Sequence, residues 1–146
     1  MGIHEFEGSK ANNIAIPVCR CVSVYYDPDD EQAPFKTLVH RGPTKTGDPM
    51  YGFYLATSPD GYHWTQHQLV VPYPPDGPAG TAGLAGSDVY YLWPGKVDGK
   101  CVVTYKVDRL VPGARHCVAI SEGVDFKSFS DSKVILQSDL IDPPHI

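Results

Sequence analysis

Hydrophobic positions along this chain fall in short runs that are filled mainly by β-branched and aromatic residues. Such runs are typical of β-strands, because these side chains fit a half-buried pleated surface. Gly, Pro, Asp and Ser separate the runs and close turns, while helix-forming runs are scarce. The pattern predicts extended structure at 12–26, 35–41, 51–57 and 62–71 in the first half, and at 89–91, 101–106, 116–121 and 133–137 in the second.

One turn organises this pattern. Ser58-Pro59-Asp60-Gly61 joins two predicted strands and is followed closely by Trp64. Ser and Asp side chains accept backbone N–H groups, and Gly takes positive φ without a steric penalty. The segment therefore predicts a hairpin in which Asp60 forms the turn. An altered copy runs from Ser121 to Phe129, with Phe129 in the place of Trp64.

The chain therefore divides into two similar four-stranded units, at about 12–72 and 87–138, which the Gly- and Pro-rich loop 72–87 joins. Repetition of one small unit is the signature of a stacked or radial architecture. We predict a single all-β domain, 1–146, of antiparallel four-stranded blade-like repeats that form a partial β-propeller. A β-sandwich of two four-stranded sheets is the alternative, because the same alternation builds it.

Composition supports one globular domain and excludes several functions. The chain has 146 residues and a formal net charge of −5. No cluster of Lys and Arg offers a nucleic-acid site, and no apolar run approaches the ~20 residues of a membrane span. No P-loop or dinucleotide fingerprint occurs, and we predict no cofactor. The N-terminal residues lack the features of a signal peptide, so we expect a cytoplasmic protein if Met1 is the native start.

Cysteines and clustered acidic residues are the possible metal ligands in this sequence. The cysteines are Cys19, Cys21, Cys101 and Cys117. Their spacing fits a zinc site poorly, so buried free thiols are the preferred interpretation, with a disulfide as the alternative. The acids between 27 and 31 lack the glycine and the spaced ligands of a calcium loop. We predict no metal site.

Two segments resemble the five-bladed β-propellers of the invertase, levansucrase and arabinanase superfamily, and especially their uncharacterised bacterial relatives. They are Val-Tyr-Tyr-Asp-Pro-Asp-Asp at 24–30 and Leu-Ala-Thr-Ser-Pro-Asp-Gly-Tyr-His-Trp at 55–64. The second turn and the passage 139–144, Asp-Leu-Ile-Asp-Pro-Pro, match the same relatives. The resemblance implies a glycosidase-like propeller with catalytic carboxylates on its innermost strands.

Two departures from that family weigh against an independent enzyme. The Asn-Asp-Pro-Asn and Arg-Asp-Pro motifs of the invertase-like members are absent. The chain also supplies only about two blades of the five that the resemblance implies. Whether the protein is an enzyme is therefore left open, and free-standing activity is not expected.

Glycoside hydrolysis needs two carboxylates, about 5 to 10 Å apart, that flank the scissile bond. The resemblance implies Asp88 and Asp142 as catalytic candidates, because they lie near the expected channel ends of inner strands. Glu122 is a further candidate, since it replaces the turn carboxylate of the first unit. The structural alternatives are a strand cap for Asp88 and a solvated turn acid for Asp142 and Glu122.

Aromatic residues supply the ligand-binding candidates. Tyr73, Tyr90 and Trp93 lie in or near the Pro-rich passages, and aromatic rings suit the apolar faces of sugar rings. Packing in the core or at a turn is the alternative for each.

Three functions fit these observations. The first is a glycan-binding or glycosidase-like propeller fragment that acts as part of an assembly. The second is a non-catalytic interaction or assembly domain, and the third is a small β-sandwich that binds a small molecule. Because two blades leave apolar sheet faces open, we expect self-association into a homo-oligomer, with a saccharide as a possible ligand.

Overall fold

The computed structural model describes residues 2–16, 23–41, 52–72, 84–109 and 117–137. Within these ranges the regular elements are all β-strands: β1 (Val24–Tyr26), β2 (Phe35–Arg41), β3 (Gly52–Ser58), β4 (Thr65–Pro72), β5 (Leu84–Leu92), β6 (Cys101–Arg109), β7 (Cys117–Gly123) and β8 (Lys133–Gln137). They form two four-stranded antiparallel sheets. The predicted all-β class with two antiparallel four-stranded units is confirmed.

Each sheet is a meander of sequential strands. Sheet 1 has the order β1-β2-β3-β4 and sheet 2 the order β5-β6-β7-β8. The register of sheet 1 places Tyr26 opposite Phe35 and Phe35 opposite Ser58. The hairpin turns after β1 and β3 therefore lie at the same end of the sheet, which we call the hairpin end. In sheet 2 the turns after β5 and β7 share one end in the same way.

The two sheets pack face to face through one apolar core. The Phe53 ring lies 5.0 Å from the Tyr90 ring and 5.4 Å from the Tyr105 ring, in edge-to-face geometry. Nearer the hairpin end, Tyr25 packs on Phe126 at 4.9 Å. Such aromatic contacts add to the free energy of burying the rings. The other main members of the core are Leu38, Leu55, Val70, Val71, Leu92, Cys101, Val103, Val107, Cys117 and Ala119.

Two strands begin at other positions than the pattern predicts: β1 begins later and β5 begins earlier. Within the predicted run 12–26, the described part contains a strand only at Val24–Tyr26. β5 begins at Leu84 rather than at Val89, with Gly86 paired to Val107 and a register shift before Tyr90. Small residues such as those at 85–87 carry little β-propensity, so their place in a strand depends on pairing with β6.

The organising turn is held by the side chains that the sequence indicated. Asp60 Oδ1 accepts hydrogen bonds from the backbone N–H groups of Tyr62 and His63, both at 2.8 Å. These bonds lower the pKa of the Asp60 carboxyl well below its usual range. Ser58 Oγ accepts the N–H of Gly61 at 2.8 Å, and Gly61 has a φ of +78°. Asp60 therefore acts as a turn former.

Candidate functional site

The side of sheet 2 that faces away from sheet 1 carries an exposed aromatic pair. Successive side chains of a strand alternate between its faces, so Val89 and Tyr91 of β5 share this side. Trp93 follows β5 directly and continues the alternation, because its N–H still donates to the Val102 carbonyl oxygen. Tyr91 is 51% exposed and Trp93 is 41% exposed. Their ring centroids lie 6.2 Å apart with the planes tilted by 65°. We call this surface the outer face of sheet 2.

A shallow groove of about 180 Å³ begins at Tyr91, and its lining residues are Val89, Tyr90, Tyr91, Thr104, Tyr105, Lys106 and Val118. Trp93 was one of the predicted ligand-binding residues, and the structure leaves part of its ring in solvent. The outer face therefore combines an aromatic corner with a groove that contains hydroxyl and amino groups.

Tyr90, predicted to bind a ligand, lies between the two sheets. The residue is 6% exposed, and its hydroxyl contacts Thr37 Oγ1 at 3.1 Å and donates to the carbonyl oxygen of Leu38. Ser23 supports the same junction, because its Oγ donates to the carbonyl oxygen of Leu92 at 2.9 Å. Tyr90 thus joins β5 to β2. Its contact with a ligand stays a prediction.

The predicted catalytic carboxylates are dispersed. Glu122 lies on β7 and forms an ion pair with Lys100 at 2.9 Å, in which both side chains are nearly half exposed. This contact raises the pKa of Lys100. Asp88 falls within β5, but its side chain is outside the described part, and Asp142 and Tyr73 lie outside the described residues. The catalytic assignments of these carboxylates therefore stay predictions.

A cleft opens between the two sheets at the hairpin end, with a volume of about 440 Å³. Clefts of 300 to 1,000 Å³ are typical of small-molecule sites. We call it the hairpin-end cleft. Its lining residues are Asp27, Asp30, Gln32, Ala33, Lys36, Leu55, Thr57, His67, Gln68, Lys96, Cys101, Asp125, Phe126 and Lys127. The lining of the cleft thus combines apolar and polar side chains from both sheets.

A closed ion cluster occupies one wall of this cleft. The Lys36 side chain is only 8% exposed, and its Nζ contacts Asp27 at 3.0 Å and Asp30 at 2.9 Å. Nζ also donates to the carbonyl oxygen of Ala33 at 3.0 Å, so each of its three N–H groups has an acceptor. The remaining oxygen of each carboxylate accepts a backbone N–H group, from Asp29 and Ala33 respectively.

The contacts within the cluster shift the pKa values of Asp30 and Lys36 in the directions that favour their charged forms. The hydrogen bond from Lys36 lowers the pKa of Asp30. Burial acts to lower the pKa of Lys36, but the hydrogen bonds to Asp30 and Asp27 outweigh it, and the pKa is raised. Because both carboxylates contact one Nζ, their acceptor oxygens lie within about 6 Å of each other, close to the spacing of catalytic pairs. Asp30 is a poor general acid, however, because that role needs a protonated carboxyl group and its pKa is lowered.

Sequence reasoning did not find Lys36 or the cleft. A lysine inside a predicted strand is usually solvated, and its burial follows only when sheet 2 covers that face of β2. One signal was available: the acidic turn at 27–30 lies between two predicted strands, so a hairpin brings its carboxylates near the first residues of β2.

The described residues offer neither a metal centre nor a membrane-spanning helix. Among the described residues, no group of three or more His, Cys, Asp or Glu side chains is placed to hold a metal ion. The same ranges contain no helix long and apolar enough to cross a membrane.

Comparison with known proteins finds a likeness at the level of the fold. No protein-family model matches the sequence, and no curated protein matches it either. The structure is similar to the crystal structure of a protein from Bifidobacterium bifidum s17 that has been assigned as an exo-β-1,3-galactanase, with a TM-score of 0.56 and 14% sequence identity. The match covers 82% of this chain and 37% of the other. At this identity the likeness concerns the fold alone.

Proposed function

We propose that this protein is a saccharide-binding unit built from two β-propeller blades, and that it binds through the outer face of sheet 2. The exposed Tyr91–Trp93 pair is the observation that carries the proposal. The fold likeness to a protein assigned as a galactanase supports the same class of ligand.

The outer face has the chemistry that a sugar ring requires. Aromatic rings offer an apolar surface with a partial negative charge on each face, which suits the C–H groups of a pyranose. The 65° tilt lets a sugar ring stack on one aromatic ring while its edge contacts the other. Thr104 and Lys106 line the adjacent groove and place a hydroxyl and an amino group beside the sugar hydroxyls.

Binding without hydrolysis agrees best with the carboxylates that the structure describes. Hydrolysis needs one protonated and one ionised carboxyl group on either side of the bond. Asp27 and Asp30 are close enough, but both form ion pairs with Lys36, and the pKa of Asp30 is lowered. Catalysis by Asp88 and Asp142 in a fuller assembly remains the finer hypothesis, and Asp88→Asn tests it through loss of glycosidase activity without loss of binding.

Glycan-array screening followed by calorimetry tests the binding proposal. Trp93→Ala should weaken binding of the best array ligand by about tenfold or more, which is typical of a removed stacking contact at a binding hot spot. Tyr62→Ala is the matched control, because Tyr62 is 52% exposed but lies on the β3–β4 turn. Equal binding by the wild type and the Trp93 variant would contradict the proposal.

A second candidate function is assembly through the same surface. Val89, Tyr91, Trp93 and Leu136 are all exposed, and the register of sheet 2 places Leu136 beside Val118 on the outer face. Exposed apolar surface of this kind promotes association, as the predicted homo-oligomer requires. Light scattering over a concentration series should then show a dimer or larger species that Trp93→Ala dissociates. A wild-type monomer at all concentrations would exclude this role for the outer face.

A further inference from the structure

The hairpin-end cleft lies on the other side of sheet 2 from the outer face, and the proposed saccharide site does not use it. Its walls come from both sheets: Lys36, Thr57 and Gln68 from one, and Lys96 and Lys127 from the turns of the other. Gln68 Nε2 approaches the carbonyl oxygen of Lys127 at 3.5 Å, so the two sheets meet along one side of the cleft. A ligand in the cleft would therefore touch both sheets.

Hydrogen-bond acceptors in the cleft are largely occupied. All four oxygen atoms of Asp27 and Asp30 already accept a hydrogen bond within the protein. One oxygen of Asp125 accepts the backbone N–H of Lys127 at 2.8 Å. A hydroxyl group of a ligand that bonds to Asp27 or Asp30 would therefore have to share an oxygen atom that already accepts a hydrogen bond.

Donors are in surplus. The ammonium groups of Lys96 and Lys127 have no ion-pair partner among the residues that the structure describes. The amide of Gln32 also lines the cleft, and at the β3–β4 side Thr57 Oγ1 lies 2.7 Å from His67 Nε2. The formal charges of the lining residues sum to zero, because the lining contains three Lys and three Asp. Net charge therefore does not select a ligand, and the local surplus of hydrogen-bond donors decides which ligand fits. An acceptor-rich ligand gains charge-assisted hydrogen bonds here that a neutral one does not.

The floor of the cleft is apolar and chemically inert. Leu55 and Phe126 are buried, and Cys101 has almost no exposed surface. Burial raises the pKa of the Cys101 thiol despite the nearby Lys96. The floor therefore packs against a ligand and does not react with it.

We propose that the hairpin-end cleft is a second binding site, for a sugar-sized carboxylate such as a uronic acid. The carboxylate of the ligand contacts Lys96 and Lys127, and its hydroxyl groups contact the Gln32 and Gln68 amides. The volume of about 440 Å³ accommodates one such ring. This site goes beyond the proposed function and does not depend on it, because the outer face and the cleft are on opposite sides of sheet 2.

Titration of ¹⁵N-labelled protein with sodium glucuronate tests the inference, with glucose and inorganic phosphate as separate arms. Glucuronate should shift the amide signals of Lys96, Gln68 and Lys127 and leave those of Tyr91 and Trp93 unchanged. The double variant Lys96→Gln/Lys127→Gln should bind about tenfold more weakly, as expected when charge-assisted hydrogen bonds are removed. The affinity of the wild type should also fall as salt is added.

The control variant is Lys10→Gln, which removes one exposed lysine far along the chain from the cleft. It should bind glucuronate like the wild type. Equal affinity for glucose would refute the carboxylate contact, and equal affinity for phosphate would refute a sugar-sized ligand. An absence of shifts at the cleft residues, with the spectrum of a folded protein, would refute the site as a whole. None of these results bears on Trp93, so they are distinguishable from failure of the outer-face proposal.

Discussion

Replacing Lys36 by Met should destabilise the protein by about 2 to 3 kcal/mol at neutral pH. Methionine has an apolar side chain of similar length, but it removes all three hydrogen bonds of Nζ and the contact of this group with the Phe126 ring, 5.8 Å from the ring centre. Removing one partner of a buried ion pair generally costs about 3 to 5 kcal/mol. We expect less here, because the Asp27 and Asp30 side chains keep 23% and 40% exposure and regain water.

The dependence of this loss on pH follows from the pKa shifts. The lowered pKa of Asp30 means that its ion pair stabilises the fold above the ordinary carboxyl value of 3.8, and that this stability is lost as pH falls through the folded value. The raised pKa of Lys36 means that its contribution is present below 10.5 and lost as pH rises through its folded value. The difference between wild type and variant should therefore be greatest near neutral pH and smaller near pH 3.

Urea unfolding, followed by circular dichroism at neutral pH and near pH 3, measures both effects. The triple variant Asp27→Asn/Asp30→Asn/Lys36→Met is the control, because it removes the two carboxylates that Lys36→Met leaves facing each other. It should regain part of the lost stability at neutral pH. An equal loss for Lys36→Met at both pH values would refute the electrostatic reasoning and leave a packing effect alone.

Three further substitutions test the fold. In thermal unfolding, Gly52→Ala should destabilise the protein by about 2 kcal/mol or more, because the added Cβ would lie 2.2 Å from the Val71 carbonyl oxygen, at a φ of +150°. Gly61→Ala should cost only about 1 kcal/mol in the same assay, because its Cβ meets nothing nearer than 4.0 Å. Equal costs for the two variants would contradict the close approach at Gly52. Tyr90→Phe removes the hydroxyl that donates to the Leu38 carbonyl oxygen and should lower the free energy of unfolding in urea by about 1 to 2 kcal/mol. An unchanged urea midpoint would show that this hydroxyl does not hold the two sheets together.

The sequence could predict which residue types form the site, but not which of those side chains are exposed. The sequence indicated Trp93 as a binding aromatic, and the structure leaves it partly exposed on the outer face of sheet 2. It gave no means to separate Trp93 from Tyr90, which is buried between the sheets. Trp93 directly follows β5 and lies three positions after Tyr90, so the two side chains point to opposite sides of the sheet. Only packing decides which side is covered.

Local chemistry in the sequence determined the strands and the turns of this protein. Alternation of β-branched and aromatic residues specifies a strand within a few residues, and Ser58, Asp60 and Gly61 close their turn by hydrogen bonds across three positions. The two antiparallel sheets follow from these short-range signals. That is why the predicted fold class agrees with the structure.

Only the tertiary structure decided which faces are buried and which groups meet. Lys36 becomes a buried ion-cluster residue because the Phe126 turn of sheet 2 packs over β2. The hairpin-end cleft joins Lys96 and Lys127 to Gln68 across sequence separations of 28 to 59 positions. Contacts over such distances depend on how the two sheets are oriented, and alternation within a strand carries no information about that orientation.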